Sequence, residues 1–152
     1  MKRLVALVLF TLTSVASAQS TTPVDCSRAE RVLNARPFGS WQDAYNYYKR
    51  FRGRCSDGAL AENLSAHFTQ LLSERWSRLP ELQTLARRDP AFLEWVLLGV
   101  YYNPEETEVN ASNTACRLLR RLQSCRPSER ALCERLATRV GPNREYAAAC
   151  GV

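Results

Sequence analysis

The chain has 152 residues, 45% of them hydrophobic and 24% charged, with a formal net charge of +6. That balance excludes a disordered or collagen-like polypeptide, and the length allows one domain, at most with tails. The charge is too mild for a dedicated nucleic-acid binder.

Residues 1–18 read as a secretory signal peptide. Lys2 and Arg3 form a basic start, an apolar stretch follows from Leu4 to Val15, and Ala16-Ser17-Ala18 supplies the small residues of a cleavage site after Ala18. The stretch is too short for a stable membrane anchor, and no later apolar run reaches spanning length. Loss of Lys2 and Arg3 with the signal would lower the net charge by two. Residues 19–24 read as a disordered leader, and residues 25–152 as a single helical domain.

Breaks and apolar stripes alternate through that domain, and no segment shows the alternation of a strand. A first helix is expected over about Asp25 to Ala35, with Cys26, Ala29, Val32 and Leu33 inward, ended by Pro37-Phe38-Gly39. Ser40 caps a second, in which Trp41, Ala44, Tyr45, Tyr48 and Phe51 recur at helical spacing and Tyr47 points elsewhere, toward solvent. Lys49, Arg50, Arg52 and Arg54 suit its negative C-terminal end. Asp57 caps a long helix through about Arg78, with Leu60, Leu64, Phe68, Leu71, Leu72 and Trp76 on its stripe. Pro80 opens a short helix with Leu82 and Leu85 inward. Asp89-Pro90 caps a helix from Ala91 to Tyr102 that is apolar almost all round, the mark of a central, buried element. A helix with Ala111, Ala115, Leu118, Leu119 and Leu122 inward follows, then one opened by Pro127-Ser128 with Leu132, Leu136 and Val140 inward. The sum is an all-α fold, a compact bundle of about six to seven short helices.

Six cysteines follow the signal: Cys26, Cys55, Cys116, Cys125, Cys133 and Cys150. Export makes disulfides the default reading, and six cysteines allow 15 pairings that sequence alone does not choose among. The first expectation is Cys125–Cys133, the most local pair, then Cys26–Cys55 and Cys116–Cys150. No Cys-x-x-Cys pair occurs and His67 is the one histidine, so no metal site and no cofactor is expected.

Candidate chemistry is sparse. His67 is the one side chain that ordinarily titrates near neutral pH. A general-base role would need a carboxylate to orient it. Glu62 and Glu74 share its helix, but five and seven residues away, not at the four-residue spacing that joins one helix face. There is no serine-nucleophile elbow, phosphate loop or Ca²⁺ loop. Glu94 lies inside the most apolar helix and calls for an arginine partner if partly buried. From Cys116 onward eight arginines accompany three glutamates. There Arg117, Arg120, Arg121, Arg130, Arg135 and Arg139 form a basic face that Glu129 and Glu134 interleave.

The run Cys55-Ser56-Asp57-Gly58-Ala59-Leu60-Ala61-Glu62 continues through Trp76, Leu79-Pro80-Glu81-Leu82 and Asp89-Pro90-Ala91-Phe92. It resembles an uncharacterised family of small exported all-helical proteins of Gram-negative bacteria (pattern Cys-x-Asp-Gly-Ala, Leu-Pro-x-Leu, Asp-Pro-x-Phe). The likeness spans about residues 48 to 135, including Cys125-Arg126-Pro127 and Cys133. Such proteins carry Asp-Asp-Gly where this chain has Ser56-Asp57-Gly58. The resemblance implies a periplasmic address and a local Cys125–Cys133 bridge, and it implies no reaction.

The expectation from these residues is a periplasmic or secreted protein-binding module, most concretely an inhibitor or immunity protein against a secreted cell-envelope toxin. Its candidate binding residues are Asp57, Glu62, His67, Tyr47, Arg117 and Arg121. The expected partner is a protein, with no nucleic acid and no stable membrane insertion. A cell-envelope hydrolase using Glu62 with His67 or Glu74, and a carrier of an apolar small ligand, are the alternatives.

Overall fold

A computed structural model describes residues 25–51, 54–55, 58–100, 114–140, 148 and 150–152. The expected signal peptide and leader, the expected cap Asp57, and residues 101–113 lie outside that set. The described residues form an all-α bundle of seven helices. These are α1 (Cys26–Ala35), α2 (Trp41–Phe51), α3 (Gly58–Glu74), α4 (Leu79–Arg88), α5 (Pro90–Gly99), α6 (Thr114–Gln123) and α7 (Arg130–Val140). Among the described residues no helix is long and apolar enough to cross a membrane.

Helix starts follow from local chemistry. The Asp25 carboxylate accepts from the Arg28 amide at α1. At α2 the Ser40 hydroxyl accepts from the Asp43 amide, while the Asp43 carboxylate accepts from the Gly39 amide and the Ser40 hydroxyl. This reciprocal pairing satisfies donors that a helix start leaves unmade. Asp89 closes α4 and caps α5, accepting from the Phe92 amide, with Pro90 in the first turn.

The long helix stops earlier than its apolar stripe suggests. Arg75 leaves helical geometry, and Trp76–Arg78 form a single 3₁₀ turn before α4. Pro80 explains the break. Its ring has no N–H to donate and would collide with the carbonyl four residues back, so one helix cannot run through it. The half-buried Trp76 therefore packs from the turn and not from α3.

The core gathers around α3, which packs against α1, α5 and α6, while α4 bridges α2 and α5 and α7 lies on α5 and α6. Trp41, Phe68 and Phe92 are fully buried in it. Gly99 lets α5 come close to α3: a Cβ there would sit 2.5 Å from the Phe68 ring. Gly58, the first residue of α3, has φ +52°, a left-handed conformation that glycine enters without penalty. Two stripes differ from expectation. Cys26 and Val32 of α1 are exposed, because only Ala29 and Leu33 face α2 and α3. On α5, Phe92, Leu93, Trp95, Val96 and Leu97 are buried, but Glu94 faces solvent and Leu98 is 66% exposed.

The cysteines form Cys26–Cys55, Cys116–Cys150 and Cys125–Cys133, the three pairs of the first expectation, of which spacing argues only for the last. Their Cα atoms lie 5.3, 5.2 and 6.5 Å apart, within the span a disulfide bridges without moving the backbone. The first ties the start of α1 to the segment after α2. The second ties α6 to the C-terminal tail, and the third spans the turn into α7.

Candidate functional site: a cleft over Tyr47

Tyr47 is the main correction to the solvent-facing assignment. It is buried, 4% exposed. The strip Ala44–Tyr47–Phe51 runs at the three- and four-residue spacing of a helix face, beside the Trp41–Tyr45–Tyr48 stripe, and both strips are covered. Behind Tyr47 stands Trp95 of α5, with ring centres 6.2 Å apart. Over it folds the connection between α1 and α2, which brings the Phe38 ring to 5.6 Å in an edge-on arrangement. Tyr48, expected inward, is only half-buried.

Phe38 organises this corner. Its ring also meets His67 of α3 edge-on at 5.0 Å and Phe68 at 6.2 Å. Two candidate residues, Tyr47 and His67, thus touch one aromatic ring that the sequence marked only as part of a helix break. The signal for it was an aromatic residue wedged between Pro37 and Gly39, just ahead of a capping serine, where a loop side chain is free to fold back over the helix it precedes.

Both neighbours carry an unmet polar atom. The Tyr47 hydroxyl and the His67 Nδ1 are closed from solvent and have no hydrogen-bonding protein group among the described residues. Burial pushes the Tyr47 phenol up to about 12, so it stays a protonated donor through neutral pH. Burial also lowers His67 below its usual value, which favours the neutral ring.

A cleft of about 220 Å³ opens at this corner, lined by the apolar or aromatic Val32, Phe38, Tyr47 and Phe51 and by the polar Arg36, Asp43, Asn46 and Arg50. Arg36 and Arg50 are exposed and form no ion pair among the described residues. The Arg50 guanidinium lies 5.4 Å from the centre of the Phe51 ring, a cation–π arrangement that leaves its N–H groups available.

The other candidates do not join this site. Glu62 is exposed on α3. Glu74 accepts from Gln70 and is paired with Arg117 at 3.4 Å. No described contact links Glu62 or Glu74 to His67. Arg117 and Arg121 line a separate groove of about 320 Å³ on α6 with Arg120 and Ser124. Glu94 pairs with Arg135, but it is exposed, so the burial that would have made an arginine partner necessary is absent. Exposed pairs of this kind contribute at most about 1 kcal/mol.

Glu129 departs from expectation in the opposite sense. It does not interleave with the arginine face. It is 3% exposed, in the turn before α7, with one carboxylate oxygen unpartnered. The 3₁₀ turn of Pro127–Glu129 packs on α4, where Gln83 donates to the Ser128 carbonyl, and that turn swings Glu129 inward. Among the described residues, no group of three His, Cys, Asp or Glu side chains could hold a metal ion.

No protein-family model, no curated protein and no solved structure matches this chain.

Proposed function

We propose that the chain is an exported, periplasmic protein-binding module, in its most concrete form an inhibitor or immunity protein against a secreted cell-envelope toxin. The observation that carries this reading is the cleft over Tyr47. Its 220 Å³ falls below the roughly 300 Å³ at which pockets for drug-sized molecules begin. It is sized for one side chain of a larger partner and not for a whole metabolite. An aromatic floor under an arginine-bearing rim has the composition of the anchor pockets that dominate protein interfaces. The basic–apolar–small pattern of residues 1–18 and three disulfides support export.

Affinity capture from periplasmic extract of the native host tests the reading, with the wild-type chain beside Phe38→Ala and Arg50→Glu. A partner retained in near-stoichiometric amount by the wild type and lost from both variants is the expected result. No retained protein, or equal retention by all three chains, overturns it.

A further inference from the structure

We propose that the cleft over Tyr47 receives a carboxylate side chain, glutamate or aspartate, from the surface of the protein partner. This deepens the protein-binding reading and rests on it.

The cleft is short of negative charge. Arg36 and Arg50 stand at its rim without a carboxylate partner among the described residues. The one acid in the lining, Asp43, is committed elsewhere: its Oδ2 accepts from the Gly39 amide at 3.1 Å and from the Ser40 hydroxyl at 2.9 Å. Two cations against one engaged carboxylate leave an excess positive charge at the mouth. Guanidinium groups match a carboxylate in planar, two-pronged geometry, and such charge-assisted bonds exceed neutral ones in strength.

The floor adds a donor. The Tyr47 hydroxyl has no protein acceptor, and burial keeps it protonated. A carboxylate offers the acceptor that the free protein lacks. The half-buried Phe38 ring lies edge-on over Tyr47, and this side chain must give way for a carboxylate to reach the hydroxyl. Val32, Phe38 and Phe51 then flank the methylene carbons of the entering side chain. The α6 groove is the weaker candidate for the same chemistry, because its Arg117 is already paired with Glu74.

The test is an NMR titration of the full disulfide-bonded chain, ¹⁵N-labelled, with N-acetylglutamate methylamide and, in parallel, N-acetylglutamine methylamide. The glutamate probe is expected to shift the signals of Arg36, Asn46, Tyr47 and Arg50, saturating in the millimolar range. The neutral probe binds several-fold more weakly. The double variant Arg36→Gln, Arg50→Gln loses the effect, and Tyr47→Phe weakens binding several-fold while melting at a higher temperature. A merely structural role for Tyr47 would not separate affinity from stability in that way. Equal response to the two probes, shifts centred on Arg120 and Arg121, or no shifts at all overturn the proposal. If capture from extract depends on Phe38 while the glutamate probe leaves the cleft unmoved, the carboxylate assignment fails and the protein-binding reading stands. If the probe binds but no captured protein depends on the cleft, both fail.

Discussion

Removing one oxygen atom from Tyr47 should make the protein more stable. The hydroxyl is shut from water and meets no protein partner, whereas in the unfolded chain it is fully hydrated. Folding therefore strips its hydration without replacement. A buried polar group left unsatisfied costs about 1–3 kcal/mol. Tyr47→Phe keeps the ring against Phe38, Phe51 and Trp95 and removes that penalty. The lower end of the range is the safer expectation, a gain of about 1 kcal/mol, because the vacated space next to the ring gives back a little packing. For a chain of this size that corresponds to a rise of about 3 °C in melting temperature. Tyr45, two positions earlier, supplies the control. It is also buried, but its hydroxyl donates to the Asp89 carboxylate at 3.3 Å. Tyr45→Phe deletes the same atom and should destabilise by about 1 kcal/mol. Thermal and urea unfolding of both variants measures the pair. Opposite signs are required: if Tyr47→Phe melts at or below the wild-type temperature, the hydroxyl is satisfied in the free protein and the argument for an open donor in the cleft is refuted.

Gly99→Ala should destabilise by about 1–3 kcal/mol in urea unfolding, since its Cβ would meet the buried Phe68 ring at 2.5 Å; a neutral effect would mean that α5 and α3 part without loss. Asp89→Ala removes the α5 cap and the Tyr45 partner together and should lower stability by about 1–2 kcal/mol, with Asp89→Asn recovering most of it. His67 gives a pH signature. Its folded-state value lies below the 6.5 of the free side chain because burial disfavours the charged ring. The unfolded chain therefore binds the proton first, so this contribution is whole above pH 6.5 and drains away as pH falls through the folded value. His67→Leu should flatten the urea midpoint between about pH 7 and pH 5, and an unchanged slope counts against a buried neutral ring. Removing single bridges by paired Cys→Ser changes should cost about 3.5–4 kcal/mol for Cys26–Cys55 and Cys116–Cys150 and about 2.5 for Cys125–Cys133, following their separations of 29, 34 and 8 residues. Denaturant midpoints out of that order would mean that native packing, not loop closure, sets the ranking.

The scaffold was legible because helix punctuation is local. Ser40, Pro80 and Asp89-Pro90 mark their boundaries through bonds made within four residues. The stripes of α3 and α7 could be read from periodicity alone, because each presents one face to the core. Tyr47 and Glu129 could not. Periodicity assigns one buried face to a helix, while α2 is covered on two, by the bundle and by the returning Phe38 loop. Whether a loop folds back is decided by contacts distant in sequence, such as Phe38 with His67. Glu129 carries a charge that composition assigns to the surface, and only the turn onto α4 brings it inside. The surroundings of the site candidates are illegible for the same reason: Glu62, His67 and Glu74 share a helix, but the contacts of His67 and Glu74 come from other elements, Phe38 and Arg117.

One bridge has a second consequence beyond stability. Every residue that lines the cleft, from Val32 to Phe51, lies between Cys26 and Cys55. The cleft is a feature of a closed covalent loop in which α1 and α2 are held at both ends. Its floor is fixed from behind by Trp95 and Phe68, and its rim by the Ser40–Asp43 capping pair. A pocket for a single side chain gains little contact energy, so its affinity depends on how little ordering remains to be done when the partner arrives. In the cleft the backbone of α1 and α2 is tied by that bridge, and what remains to be ordered is the Phe38 ring and the exposed Arg36 and Arg50 side chains, whereas the α6 groove sets Arg117, Arg120, Arg121 and Ser124 along one helix and the turn that ends it. A tied backbone and an excess of positive charge together are the physical reason to look for the partner at Tyr47.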